Sequence, residues 1–296
     1  MMFETNMKEI TTVLATFFSS IIIALSMFSH TPGVLAAQKE RPIDVIEDNS
    51  FLIEEAYNQE PGVVQHIFTA HYNNDSRRRG WEFNFTQEWP LFSQDHQFSY
   101  TIPSFHLLEN GDHQNGVGDI LLSYRYQLLE EGNTKPALAP RFSLILPTGS
   151  RKRGTGNGVV GYDWNLPVSK KVSGELALHA NFGLEYLPKV RAPLASGSLS
   201  RKHSLLSYNV GASAVYALLP RLHLILEWLG ESEEEIEDNG KPQRAFKPVL
   251  SPGFRTAIIN QSKLQIVTGA AAPVGLNRKA DNYGVFLYFS VEHDLF

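Results

Sequence analysis

The chain has 296 residues, a formal net charge of -5, no cysteine, and a composition that is 43% hydrophobic and 11% aromatic. No disulfide framework, thiol nucleophile, cysteine metal ligand or lipidated amino-terminal cysteine is available, and nothing like a basic stripe for nucleic acid stands out. A mean hydropathy of -0.19 argues against a helical membrane protein, yet it suits a membrane protein in which only alternate residues face lipid.

The first element is an apolar run over residues 11 to 28, followed by Pro32-Gly33 and then by Val34-Leu35-Ala36-Ala37, whose small residues suit a cleavage site. This reads as a secretory signal peptide over residues 1–36. Glu4 and Glu9 offset Lys8, which favours Met7 over Met1 as the start. The alternative, an uncleaved anchor, fits less well because the run is short and broken by serines. Residues 37–61 form a lead-in on the periplasmic side. Asn49 or Ser50 could cap one short helix there, with Glu54 and Glu55 in an early turn and Leu52, Ile53, Ala56 and Tyr57 on one face. Such a segment would either plug or gate the periplasmic mouth, or lie as a tether against the rim.

From residue 62 to 296 the chain alternates. Strands are expected near 62–74, 79–91, 96–108, 117–129, 135–148, 158–171, 174–188, 204–218, 221–232, 245–259, 262–274 and 283–296. In the seventh, Leu176, Leu178, Ala180, Phe182, Leu184 and Tyr186 share one parity while His179, Asn181 and Glu185 share the other, as a period-two strand requires. The same split separates Trp81, Phe83, Phe85 and Trp89 from Glu82, Asn84 and Glu88. A soluble sandwich also alternates. Large aromatics at the strand ends, the signal peptide and a terminal phenylalanine favour a closed antiparallel transmembrane β-barrel of about twelve strands in the bacterial outer membrane.

An even strand count puts both ends on one side, and tight connections such as Leu219-Pro220 and Asn260-Gln261 mark that side as periplasmic. The opposite loops carry separated charge: Arg77-Arg78-Arg79, Arg151-Lys152-Arg153 and Arg201-Lys202 are basic, and Glu231 to Asp238 is acidic. Solvated faces account for most such runs; a functional reading has the basic loops meeting lipopolysaccharide phosphates and the acidic loop meeting divalent cations or a cationic solute.

Projected inward, the polar parity gathers Glu82, Glu88, Asp119, Arg125, Arg141, Asp163, Glu175, His179, Glu185, His223, Glu227 and Arg255. In a small barrel such groups pair into a network that fills the interior and leaves a narrow path. Unpaired arginines would attract anionic groups, and the surplus of carboxylates would favour neutral or cationic solutes.

From Gly116 the chain reads Gly-Val-Gly-Asp-Ile-Leu-Leu-Ser-Tyr-Arg-Tyr, later Leu144-Ile145-Leu146-Pro147-Thr148-Gly149, then Gly154-Thr155-Gly156-Asn157-Gly158. Over the central third of the chain this resembles the outer-membrane transporter family named after the phenol-degradation meta pathway. The resemblance implies a barrel that passes small, hydrophobic or aromatic compounds. Gly154 to Gly158 lacks the lysine and following helix of a nucleotide loop and reads as a flexible extracellular loop.

The expected function is therefore an outer-membrane channel for small molecules, the alternative being a sealed structural or partner-binding barrel. Catalysis is not expected: His66 and His293 point toward lipid, but no serine stands two residues from either. His179 and Glu175, four apart on a strand, merely share a wall, so no metal and no cofactor is expected. The expected partners are outer-membrane lipids, lipopolysaccharide, a small-molecule solute and the barrel-assembly machinery, for which Phe296 is the signal. Val285, Leu287, Phe289, Val291 and Leu295 share a parity that excludes Phe296. Deleting Phe296 is expected to lower the amount of assembled protein in outer-membrane fractions, and normal assembly of that truncation would discard the signal.

Overall fold

A computed structural model describes residues 49–295 apart from 75–77, 110–111, 193, 195–197, 238 and 281–282. The signal peptide over 1–36, the choice of Met1 or Met7, the first part of the lead-in, Arg77 and Phe296 lie outside the described residues. What is described belongs to one unit, Glu40–Phe296.

The chain forms β1 (Val63–Asn74), β2 (Arg78–Leu91), β3 (Ser93–Glu109), β4 (Asp112–Val117), β5 (Ile120–Tyr126), β6 (Ala137–Leu138), β7 (Arg141–Leu146), β8 (Gly161–Lys171), β9 (Leu176–Val190), β10 (His203–Leu219), β11 (Leu222–Ile236), β12 (Pro242–Gln261), β13 (Leu264–Ala271), β14 (Val274–Gly275) and β15 (Tyr283–Asp294). Each pairs antiparallel with its neighbour, β11 pairs with β12, and β1 pairs with β15, so the sheet closes on itself. β4 with β5, β6 with β7, and β13 with β14 are interrupted single wall strands. The result is a closed antiparallel barrel of twelve, as the alternation predicts.

Closure sorts side chains by parity. Leu178, Phe182, Tyr186, Leu206, Tyr208, Val210, Leu224, Leu226 and Phe254 stay exposed on the outer face. Gln97, Arg125, Ser143, Ser169, His179, Ser213, His223, Glu227, Ser251 and Arg255 are buried on the inner face. Ring contacts stiffen the outside, with Tyr72 against Trp81 at 5.3 Å and Phe142 against Trp164 at 5.4 Å between centroids. Such pairs add about 0.5–1.5 kcal/mol beyond their burial.

One end of the barrel carries the short connections, Leu91 to Ser93, Lys171 to Leu176, Leu219 to Leu222 and Gln261 to Leu264. In outer-membrane barrels this rim faces the periplasm. The acidic stretch at the other end is strand, not loop, as far as Ile236. β11 runs to Ile236 and pairs with β12 from Pro242, which sets Glu233 and Glu235 beside Lys247 and Glu234 beside Arg244 (3.7 Å). Those carboxylates are thus partnered by cations on the facing strand, which removes the motive for an acidic site there.

The glycine-rich loop is anchored too. Asp119 Oδ1 accepts the Gly149 N–H (2.9 Å) and Oδ2 accepts the Asn157 N–H (2.7 Å). A Cβ on Gly149 would stand 2.3 Å from the Thr155 carbonyl oxygen, and one on Gly156 would stand 2.4 Å from Asp119 Oδ1, so both glycines let the loop close over this carboxylate. A 3-10 turn over Arg151–Arg153 completes it, ended by Gly154 at φ 67°. Asp119 is therefore a loop clamp rather than a free lumen charge.

Candidate functional site

Residues 49–59 lie inside the barrel against inward-facing side chains of β3, β5, β7, β8, β9, β11, β12 and β15. They form no helix. The apolar spacing suits one, but the donors are taken elsewhere: the N–H groups of Phe51, Leu52 and Ile53 all point at Glu227 Oε1, at 3.0, 2.9 and 3.1 Å. Successive backbone N–H groups make a concave cradle for an anion. Here the anion is a wall carboxylate, and it replaces the intrahelical acceptors the segment would otherwise need. Ser50, expected as a cap, donates to Glu55 Oε1 (3.1 Å) instead.

Charged groups on the segment find opposite charges on the wall. Arg255 donates from one nitrogen to Glu55 Oε1 (2.9 Å) and to the Asn49 carbonyl (3.1 Å). Arg141 bridges Glu54 (2.7 Å) and Asp163 (3.0 Å). Arg125 holds the segment by its backbone, donating to the Tyr57 carbonyl (2.6 Å), the Glu55 carbonyl (3.3 Å) and the Asn58 side chain (2.8 Å). Arginine's rigid planar fork suits such convergent contacts. Asn181, its amide turned to satisfy both partners, accepts from the Glu54 N–H and donates to the Glu54 carbonyl at 2.9 Å each. Ser169 Oγ accepts the Ala56 N–H (2.7 Å) and pairs with His179 Nδ1 (2.8 Å). Gln97 Oε1 accepts the Gln59 N–H (2.8 Å), while its amide donates to Glu88 (2.8 Å).

Apolar contacts complete the fit. The Phe51 ring sits 5.3 Å from Phe286 and 5.5 Å from Tyr288, both inward-facing on β15. Ile53 is 1% exposed; burying such a side chain contributes about 1.5–3 kcal/mol. Glycines thin the wall where these side chains press: a Cβ on Gly211 would stand 2.2 Å from Ile53 Cδ1, and one on Gly269 would stand 2.5 Å from Phe51.

Of the twelve expected lumen residues, Arg125, Arg141, His179, Glu227 and Arg255 therefore meet the segment. His179 Nε2 stands 3.9 Å from Glu55. His223 is buried beside Arg255 across the β11–β12 ladder. Glu82 accepts from Asn84 (3.3 Å). Asp163 and Glu185 face each other across β8 and β9. Glu175 is misplaced by the expectation. It lies in the short connection before β9, exposed and bonded to Ser173, because the strand begins one residue later. Asn58, Gln97 and Ser169 go unnoticed in the sequence, and Glu54 and Glu55, expected in an early helical turn, pair with the wall instead; the one available signal is that these two precede a barrel whose inner face carries three arginines.

At the short-turn rim Glu131 accepts from the Tyr57 hydroxyl (2.7 Å), the Lys171 N–H (2.7 Å) and Lys170 Nζ (3.0 Å). Burial opposes its ionisation, but those three donors outweigh it and hold the carboxyl below its ordinary range. A carboxyl lowered in this way lends stability that is present above the ordinary value of 4.5 and is lost as pH falls through the lowered one. Protection of the amides around residue 57 from hydrogen exchange, taken relative to their intrinsic rate at each pH, is therefore expected to fall on acidification below about pH 4.5, and Tyr57→Phe should blunt that step. A profile flat down to about pH 2 would remove Glu131 as an anchor.

No family model and no curated protein matches the chain. Among solved structures it is similar to the outer membrane channel from Pseudomonas putida F1, at 13% identity over 80% of this chain and 97% of that one, with a TM-score of 0.64. Weaker likenesses are to NanC porin, at 12% identity over 78% and 100% of the two chains with a TM-score of 0.49, and to KdgM porin, at 10% over 78% and 98% with 0.47. At such identities the likeness is one of fold. The fold defines the class: a closed antiparallel β-barrel of the outer-membrane kind. Within that class the chain is a twelve-stranded barrel of the bacterial outer membrane whose interior holds residues 49–59 of the lead-in.

Proposed function

We propose that the protein is a gated outer-membrane channel for small molecules, with residues 1–36 as a cleaved signal, 37–61 as a plug and 62–296 as the conducting barrel. The observation that carries this is the capture of three consecutive backbone N–H groups by one buried wall carboxylate, Glu227. A segment held by directed hydrogen bonds and ion pairs, rather than by a continuous apolar core, can leave when those bonds are exchanged for water or for a solute. Its withdrawal would bare Arg125, Arg141, Arg255, His179 and Glu227 to a path already lined by Glu82, Glu88, Asp163 and Glu185. Carboxylates in that path favour neutral or cationic solutes. The resemblance to the phenol-pathway transporter family suggests small hydrophobic or aromatic cargo, passed without catalysis. Delivery through the barrel-assembly machinery, signalled by Phe296, belongs to the same reading.

The second reading is a sealed structural barrel, favoured by Arg255, His223 and Glu227, which are 0% exposed and fill the interior. Single-channel recording in planar bilayers separates the two. The mature chain beginning at Ala37 is expected to be silent or to flicker, and the same chain without residues 38–61 is expected to conduct steadily. Equal steady conductance from both would refute the plug; silence from both, in barrels shown to be folded, would favour the sealed form.

A further inference from the structure

The outer wall carries a cavity of about 710 Å³ at the long-loop end, lined by Tyr162, Val160, Pro188 and Leu199 together with Arg151, Lys189, Arg191 and Lys202. Its apolar lining continues the lipid face. Tyr162 follows the parity of Trp164 and Leu166 on β8, and Pro188 follows that of Phe182 and Tyr186 on β9, all four of these neighbours being exposed outward. Its charged lining is wholly cationic. No carboxylate among the described residues pairs with Lys189, Arg191 or Lys202.

The cavity is built by the backbone rather than left by accident. Lys189 takes φ 55°, a left-handed conformation that a side-chain-bearing residue adopts at a cost, and the β9–β10 register shifts between His203 and Leu205 beside it. The arms of the connection are then tied by Ser200, whose hydroxyl accepts the Ala192 N–H (3.0 Å) and whose own N–H donates to the Ala192 carbonyl (2.9 Å). Arg151 is fixed from the neighbouring loop by the Gly158 carbonyl (2.8 Å). Between them Arg191 carries a buried Nε with no hydrogen-bond partner. A buried guanidinium donor without an acceptor is costly, and a phosphate offers planar, charge-assisted bonds that would satisfy it.

We infer that this cavity binds a phosphorylated lipid of the outer leaflet, with a phosphate between Arg191, Lys202, Lys189 and Arg151 and an acyl chain descending over Tyr162 and Pro188. A soluble anion would gain nothing from the apolar half of the cavity. An uncharged lipid would gain nothing from the cations. Only an amphiphile whose phosphate sits at the rim and whose chains enter the bilayer uses both.

The test is a titration of the full mature chain in detergent, followed by native mass spectrometry, with bisphosphorylated lipid A, dephosphorylated lipid A and inorganic phosphate as probes. Bisphosphorylated lipid A should bind saturably at one site. The pair R191Q and K202Q should weaken it by about tenfold or more, since each removes one cation from the headgroup. R278Q, in a different long loop, should leave it unchanged. K202E alone, at an exposed position, keeps the question answerable if the paired variant fails to fold. The inference is overturned if dephosphorylated lipid A binds equally well, if inorganic phosphate displaces lipid A at equal concentration, or if neither K202E nor the pair weakens binding in folded protein.

Discussion

Glu227→Ala is expected to convert a mostly silent barrel into one that opens repeatedly in a planar bilayer. The substitution removes the acceptor for the N–H groups of Phe51, Leu52 and Ile53 at the centre of the docked segment. Hydrogen bonds to a charged group contribute about 1.5–3 kcal/mol each, and three sharing one oxygen are not additive, so a net loss of about 3 kcal/mol is reasonable. That shifts the ratio of docked to released segment by about a hundredfold, at roughly 1.4 kcal/mol per factor of ten. Glu227→Gln keeps a carbonyl acceptor without the charge and should fall between the two. Hydrogen exchange of residues 51–53 provides the independent readout: it should accelerate in step with open probability. Unchanged exchange and unchanged silence in a folded Glu227→Ala barrel would show that the carboxylate does not hold the segment.

Arg255→Leu is expected to cost about as much, by a different route. Arg255 and Glu55 are both buried, and removal of one partner leaves a carboxylate stranded in the interior, which typically costs about 3–5 kcal/mol. The lead-in should become sensitive to added protease while the barrel stays intact on a gel. Because a buried pair replaced as a whole by apolar groups is often close to neutral, Glu55→Leu combined with Arg255→Leu should recover most of the protection. A double variant as exposed as the sum of the two single ones would show that the two residues act independently.

The wall was legible in the sequence because its signal is local. Leu176, Leu178, Phe182 and Tyr186 against His179 and Asn181 state a strand within a dozen residues, and the observed β9 differs from the expected span by two residues at each end. The lead-in was not legible, for the opposite reason. Leu52, Ile53, Ala56 and Tyr57 have helical spacing, and nothing nearby reveals that the Ile53 N–H finds its acceptor 174 residues away. The acidic stretch failed in the same manner, since the register that puts Lys247 beside Glu233 exists only once β11 and β12 pair. Asp119 carried a usable hint in the glycines at 149 and 156, whose missing side chains are needed only if a loop folds onto that carboxylate. Polar side chains on an inward parity can be located from sequence; which of them are already spoken for cannot.

The ladders that close the ring are of unequal length. β1 and β15, each 12 residues long, meet in register from Val63 with Asp294 to Asn74 with Tyr283, whereas β7 is only 6 residues long and β5 only 7. Under heat or mechanical load a closed ring fails at its shortest ladder. The tear in this barrel is set to begin in the middle of the chain, beside β7, while the junction of its two ends holds.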